Sequence, residues 1–302
     1  MEGKLPTISI VTPSYNQAQF LDEAMRSVLM QGYPNLEYVV IDGGSSDGTV
    51  DIIRSHESRL AYWVSESDRG QYDAINKGFL KTSGEIMAWL NSDDKYMPWT
   101  FSLIAEIFSL FPEVEWITSV HPVSWNKRGQ AVAVDFTGGF SGESFYKGGN
   151  FPGKGSYGRR WIQQESTFWR RSLWQRAGGS LDVSLQVAAD FELWARFFQH
   201  ADLYGVSALL GGFRAHGNQK SINFRKEYML EAKQVLRARG RWPCGRIEKV
   251  VRGAIWKVFR QYSLAQIPLC IRAILFRTGM LYPTNVVIWG EKEYEIITGF
   301  TV

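Results

Sequence analysis

Cysteine is nearly absent from this chain. Cys244 and Cys270 are the two among 302 residues, and their separation makes neither a metal nor a redox spacing. Such scarcity fits a reducing compartment. Histidine is almost as rare, at four, so imidazole and thiolate are too few for a zinc hydrolase. No apolar run approaches the roughly 18 residues that span a bilayer. Met1 to Pro6 is polar, so no secretory leader is expected. The glycine fingerprint of dinucleotide enzymes is missing, because the first apolar run leads into Pro13-Ser14-Tyr15. The run Gly43 to Gly48 lacks the lysine of a phosphate loop and reads as a tight turn. There is no internal repeat.

What is present is ordinary in bulk and uneven in detail. Hydrophobic residues make up 45% and charged residues 21%, enough for one large core or two modest ones. The 12 Trp suit a sugar-stacking surface, a membrane-facing one or a plain core. The net charge of +4 hides an asymmetry: residues 1–219 carry −5, residues 220–281 carry +11 and residues 282–302 carry −2. A mildly acidic body with a basic C-terminal segment is a two-part design.

Strand and helix signals alternate over the first hundred residues. Ile8–Val11, Tyr38–Ile41, Leu60–Val64 and Ile86–Leu90 are short apolar runs of the buried-strand kind. Gln17–Met30, the stretch up to His56 and Tyr72–Leu80 have helical spacing, and Ser46 or Asp47 can cap the second of these. This βαβ rhythm predicts a mostly parallel sheet with helices on both faces. Further on, Glu115–Val120 reads as a strand and 137–160 as a long loop or lid. Trp161–Ala177 and Ala189–His200 read as helices, and Val206–Phe213 as a strand leading into Arg214-Ala215-His216. In the basic segment, Ile247, Val250, Val251, Ala254, Ile255, Val258, Phe259 and Tyr262 form one helical stripe. Arg246, Lys249, Arg252, Lys257 and Arg260 take the other faces, which predicts an amphipathic basic helix.

In open α/β sheets, ligands bind beyond the carboxyl ends of the strands. The run Ile86–Leu90 ends there in Asn91-Ser92-Asp93-Asp94. In an extended chain Asn91 and Asp93 share one side and Asp94 takes the other. Such a set can hold Mg²⁺ or Mn²⁺ against a diphosphate. Asp94 or Ser92 can equally cap a helix over Lys95–Phe108. Asp42 ends the second strand, where it accepts hydrogen bonds either from a base or ribose or from its own Gly43-Gly44 turn. Asp190 opens a helix, as a cap that the helix dipole favours or as a general base toward a hydroxyl. His216 alone reads more readily as structural than as a metal ligand.

Taken in order, these runs resemble glycosyltransferase family 2. The resemblance rests on Ile10 to Asn16, Tyr38 to Asp42 with Ser45-Ser46-Asp47-Gly48-Thr49, Glu66 to Gly78, Leu90 to Asp94 and Ala189 to Trp194, and covers roughly residues 6–220. It implies a GT-A, Rossmann-like α/β fold and an inverting transfer from a nucleotide-sugar donor, UDP-linked by expectation. Pro13 and Tyr15 would line the base pocket, and Asp42 would bind uracil or ribose. Arg69 or Asp73 would contact the diphosphate side. Asn91, Ser92 and Asp93 would meet the donor, with Asp93 on the metal, and Asp190 would be the base. His216 matches a position that completes the metal shell in some relatives. One departure stands out: Asn91 replaces the first acid of the D-x-D motif and brings no charge.

The expected organisation is a catalytic unit over 1–222 and a basic, amphipathic helical extension over 223–302. The acceptor is expected to be a lipid-linked or polysaccharide intermediate of cell-surface glycan synthesis. The segment 223–281 would lie on an anionic membrane at the inner face of the cell, or pack on the body or mediate self-association. Nucleic acid is not an expected partner, since nothing points to base readout. Competing readings are an oxidoreductase, a sugar-nucleotide binding module without a base, and a glycosidase, whose two carboxyl groups stand about 5–9.5 Å apart.

Overall fold

Seven consecutive buried residues make the first strand, β1 (Ile8–Ser14), so both of its faces must be covered. The cover is helical. In α1 (Ala18–Leu29), Phe20, Leu21, Ala24, Met25, Val28 and Leu29 form one buried stripe. In α3 (Gln71–Phe79), Gly78 faces β1 so closely that a Cβ would lie 2.4 Å from Val11 Cγ1. The computed structural model describes residues 5–151, 161–217, 223–259 and 266–301.

β1 pairs in parallel with β2 (Leu36–Asp42) on one side and β4 (Ile86–Trp89) on the other, and β2 pairs in parallel with β3 (Tyr62–Ser65). The chain therefore leaves β1 in both directions, which opens a crevice at its carboxyl end. α2 (Thr49–His56) follows β2, and Asp47 accepts the Thr49 N–H at 3.1 Å at its start. β5 (Lys95–Tyr96) and α4 (Thr100–Leu110) come after β4. The remaining elements of the body are β6 (Trp116–Ser119), β7 (Val123–Trp125), β8 (Ala131–Val134), α5 (Gly142–Tyr146), β9 (Phe168–Arg170), α6 (Arg171–Arg176), α7 (Ala189–Phe197), β10 (Tyr204–Val206) and β11 (Gly211–Arg214). The C-terminal part adds α8 (Arg225–Ala238), α9 (Arg246–Phe259), α10 (Leu269–Arg277), β12 (Tyr282–Trp289) and β13 (Tyr294–Thr301).

Nine strands form the main sheet in the order β13-β12-β10-β6-β9-β4-β1-β2-β3, with β9 and β13 antiparallel to their neighbours. A smaller sheet runs β5-β11-β7-β8. Half of the twelve tryptophans are buried. Trp89, Trp116, Trp169 and Trp194 are almost wholly buried, and Trp194 stacks on Trp89 at 6.0 Å and on Trp116 at 5.6 Å.

Four stretches differ from their sequence pattern. The helix expected over Trp161–Ala177 contains β9, whose Phe168 and Trp169 are buried on both faces and so show no strand period. The helix expected from Lys95 begins at Thr100, because Pro98 disfavours helical backbone at the residue before it. The strand expected over Val206–Phe213 is two strands in two sheets. Gly211 and Gly212 allow the second to cross tightly: a Cβ at Gly211 would lie 2.3 Å from the Glu165 carbonyl oxygen. The C-terminal extension is helical only in part, since β12 pairs with β10 and carries β13 into the main sheet. The 137–160 loop contains α5, and its residues 152–160 lie outside the described residues, as do Arg260 and Tyr262 of the basic stripe.

Candidate active site

A cavity of about 950 Å³ opens where the carboxyl ends of β1, β2 and β4 meet. Pro13, Ser14 and Tyr15 wall one side as β1 ends. Tyr15 is 62% exposed, so its ring is open to a partner. The Ser14 hydroxyl is buried at this wall without a hydrogen-bond partner among the described residues. Asn91, Ser92 and Asp93 form the floor, with His216 against Asp93, and Asp190 and Tyr228 also line the cavity.

The floor is a turn and not an extended chain, so the expected alternation of Asn91, Asp93 and Asp94 does not apply. The buried Arg214 clamps it. Its backbone N–H donates to Asp94 Oδ1 at 2.8 Å, and its guanidinium donates to the Asp93 carbonyl at 2.6 Å and to Glu23 at 2.6 Å. Two residues on, the His216 Nε2 lies 2.8 Å from Asp93 Oδ2, and its ring packs against Phe20 at 4.6 Å. Asp93 and His216 thus meet at the cavity wall, although 123 positions separate them in the chain.

Asp94 caps no helix. Beyond the Arg214 N–H it accepts from Asn91 Nδ2 at 3.1 Å, and burial raises its pKa well above the ordinary value, with Glu165 and Asp93 adding like charge. Glu165 is buried beside it and pushed up to about 7, chiefly by the same loss of water. Asn91 accepts from Gln71 at 2.7 Å and donates to Gln164 Oε1 at 3.2 Å, which makes it the hub of a side-chain network. The missing charge at position 91 is therefore matched by neutral amides on both sides.

Asp190 lies in the first turn of α7 and opens onto the cavity. Burial lifts its carboxyl to about 6, while the Phe191 N–H and the Tyr228 hydroxyl hold it down and Glu231 adds a like charge. The Phe191 N–H donates at 2.7 Å.

Three expected residues sit elsewhere. Asp42 is wholly buried and turned into its own loop. Its Oδ2 accepts from the Gly44 and Ser45 N–H groups and from Ser65 Oγ, and its Oδ1 accepts from Ser45 Oγ. Those lone pairs organise the turn, so the turn alternative is the one observed. Arg69 and Asp73 bind each other at 3.0 Å, with Asp73 also accepting the Arg69 N–H, and neither lines the cavity. Their neighbours Asp68 and Gln71 do. Asp68 lies close over Gly43, where a Cβ would come within 2.9 Å of its Oδ2.

The donor set fits a hard divalent ion. A carboxylate and an imidazole face the cavity together, and such ions take few protein ligands when phosphates and water supply the rest. Among the described residues no group of three or more His, Cys, Asp or Glu has ligand geometry.

The model of the family described as Glycosyl transferase family 2 matches residues 9–119. A glycosyltransferase of Mycobacterium tuberculosis is 32% identical over 199 residues, covering 63% of this chain and 68% of that protein. The chain belongs to glycosyltransferase family 2. The putative teichuronic acid biosynthesis glycosyltransferase TuaG of Bacillus subtilis is 36% identical over 94 residues, which is 30% of this transferase and 37% of TuaG. The fold is GT-A. Staphylococcus aureus TarS 1–349, solved with UDP, superposes with a TM-score of 0.56 at 14% identity, over 82% of this chain and 69% of that one. The mannosyltransferase PcManGT of Pyrobaculum calidifontis, solved with GDP-Man and Mn²⁺, gives 0.51 at 17% identity, over 91% and 80%.

Glu23, Gln71, Gln164, Glu165, Arg214, Tyr228 and Glu231 surround or brace the site without having stood out in the sequence. Glu23, Gln71, Tyr228 and Glu231 come from helices, Gln164 and Glu165 from the turn just before β9, and Arg214 from the end of β11, and no local pattern marks them. Glu165 follows Gln163-Gln164, and that unusual polar run between apolar ones was the available signal.

Proposed function

We propose that this transferase moves a sugar from a nucleoside diphosphate, a UDP-sugar first, to a hydroxyl acceptor with inversion at the anomeric carbon. The observation that carries the reading is that Asp190 and the Asp93–His216 pair open onto one cavity, so a base and a diphosphate site share the space one sugar would bridge. Pro13, Tyr15 and the Ser14 hydroxyl serve the nucleotide, while Asp68 and Asn91 stand beside the ribose and sugar. The acceptor oxygen attacks the anomeric carbon opposite the diphosphate. Asp190 takes the hydroxyl proton as the new C–O bond forms, and the nucleoside diphosphate leaves with the electrons of the broken bond. Asp93 and His216 would hold Mg²⁺ or Mn²⁺, which when bound neutralises charge on the departing phosphate. UDP is favoured because TarS is solved with it, and the GDP-Man of PcManGT marks the alternative.

The acceptor we infer is a glycan or lipid-linked hydroxyl, in line with the teichuronic acid biosynthesis for which TuaG is named. The basic segment supports contact with an anionic membrane. On α9, Ile247 is 83% exposed, Val250 72% and Val258 56%, while Arg252 on the other face is buried against Glu248 and Tyr282. A helix that turns apolar residues outward is asking for a partner there. No helix among the described residues is long and apolar enough to cross a membrane.

A donor screen that measures released nucleoside diphosphate, with Mg²⁺ or Mn²⁺ present, tests the reading. Asp190→Asn should lower transfer by about 100-fold or more while UDP binding persists. Unchanged turnover in that variant would remove Asp190 from the role and the mechanism with it.

A further inference from the structure

Helix α8 lies beyond the segment matched by the family, yet it grips the residues that carry the base. Glu231 accepts three backbone N–H groups in succession, from Gln186 at 2.8 Å, Val187 at 3.0 Å and Ala188 at 2.9 Å. These residues lead directly into Asp190. At the start of α7, which has no capping side chain at Ala188, Glu231 takes the Ala188 N–H, the Tyr72 hydroxyl takes the Ala189 N–H and the Asp190 carboxylate takes the Phe191 N–H. One turn earlier on the same face of α8, the Tyr228 hydroxyl sits 3.2 Å and 3.3 Å from the two Asp190 oxygens. Just past its end, Arg239 reaches Glu192 of α7 at 2.6 Å.

We propose that Glu231 and Tyr228 are positioning residues for Asp190, with Glu231 fixing the backbone that presents the base and Tyr228 aiming its carboxylate into the cavity. The proposal rests on Asp190 being the base. It places part of the catalytic apparatus in the C-terminal segment, on a helix whose Ala232, Val235 and Leu236 are buried in the body.

The two residues act on the base with opposite sign. Glu231 brings a like charge, which favours the protonated form of Asp190. Tyr228 donates to the ionised form and favours it. The other titratable or charged groups around Asp190 are Tyr72 of α3, whose hydroxyl accepts the Ala189 N–H at 3.4 Å, Glu165 before β9, and Glu192 and Arg196 on α7 itself, while Arg225 at the start of α8 lines the same cavity. None of these changes in the two variants below.

The test is the pH dependence of kcat/KM for the full chain and for Glu231→Gln and Tyr228→Phe, with thermal melts beside it. Glu231→Gln keeps the shape and removes the charge, so the acid limb should move to lower pH. Tyr228→Phe removes the donor, so the limb should move to higher pH. Each shift is expected to be about one unit, the size of one modest contact to a charged group. In both variants kcat should fall about tenfold while the donor KM stays within about twofold, and Glu231→Asp should recover part of the loss. A limb that stays put, or moves the same way in both folded variants, overturns the proposal. If Glu231→Gln fails to fold, the Tyr228→Phe limb alone decides, and an unmoved limb overturns it. Full turnover in Asp190→Asn is a different failure, since it strikes the base itself.

Discussion

The Asp190 carboxyl shows how much one buried group can govern. Loss of water raises it to about 6, which matches a base that must be ionised near neutral pH yet hold a proton firmly once it has one. A base works in its ionised form, so the rate should be level above pH 7 and fall about tenfold per unit as pH drops below about 6. A pH–rate profile checks this, and a rate that stays level down to pH 5 contradicts it. The expected residues that line the cavity are those whose position follows from an element's end: Asp93 after a buried strand, Asp190 at a helix start, and Pro13 and Tyr15 where β1 stops. Asp42 also ends a strand, but its role follows from side-chain rotation. Four hydrogen bonds from its own loop and Ser65 turn it inward, and no spacing rule forecasts that choice. Glu231 and Tyr228 were illegible for the same reason, because their meaning comes from a packed neighbour more than 35 positions away.

At the scale of elements, the helices divide the basic segment into parts with different duties. α8 packs on α7 and serves the site. The inner face of α9 contributes Ile255 and Phe259 to a small core around Ile267, Leu281 and Phe300, which Leu275 and Phe276 of α10 complete. The outer faces carry Ile247, Val250 and Val258 on α9 and Leu269 and Ile274 on α10, all exposed. The segment 220–281 carries +11 in all, which supports the proposed contact of these faces with anionic lipid. Each basic residue near such a surface adds about 1 kcal/mol. Flotation of the full chain with vesicles rich in anionic lipid should therefore be strong, and weaker with neutral vesicles. Replacing Ile247, Val250 and Val258 by serine should cut it about tenfold or more. Equal flotation after those changes contradicts membrane contact, and a dimer that the same changes dissolve assigns the face to a second copy. Sequence periodicity found the α9 stripe, but not that part of it faces inward, because a period gives a face and not its neighbour. It missed β12 and β13, whose strand character depends on pairing with β10.

For the molecule as a whole, nine strands from both halves of the chain build one sheet, and the cavity lies where that sheet's parallel strands diverge. Asp93 comes from the first hundred residues and His216 from beyond the two hundredth, so the site exists only once β11 has docked against β5 and β7. The parallel half was legible because buried strands and amphipathic helices alternate there. The antiparallel β9 and the second sheet were not, since three-residue strands and paired glycines leave no period to read. Central to the proposed function is a donor diphosphate that Asp93 and His216 would hold. Titration calorimetry with UDP in the presence of Mn²⁺ tests it most directly: the wild-type protein should bind with measurable heat, and Asp93→Ala should weaken binding about tenfold or more. No heat from wild type across the nucleotide diphosphates, or an unchanged isotherm once Asp93 is alanine, would contradict it.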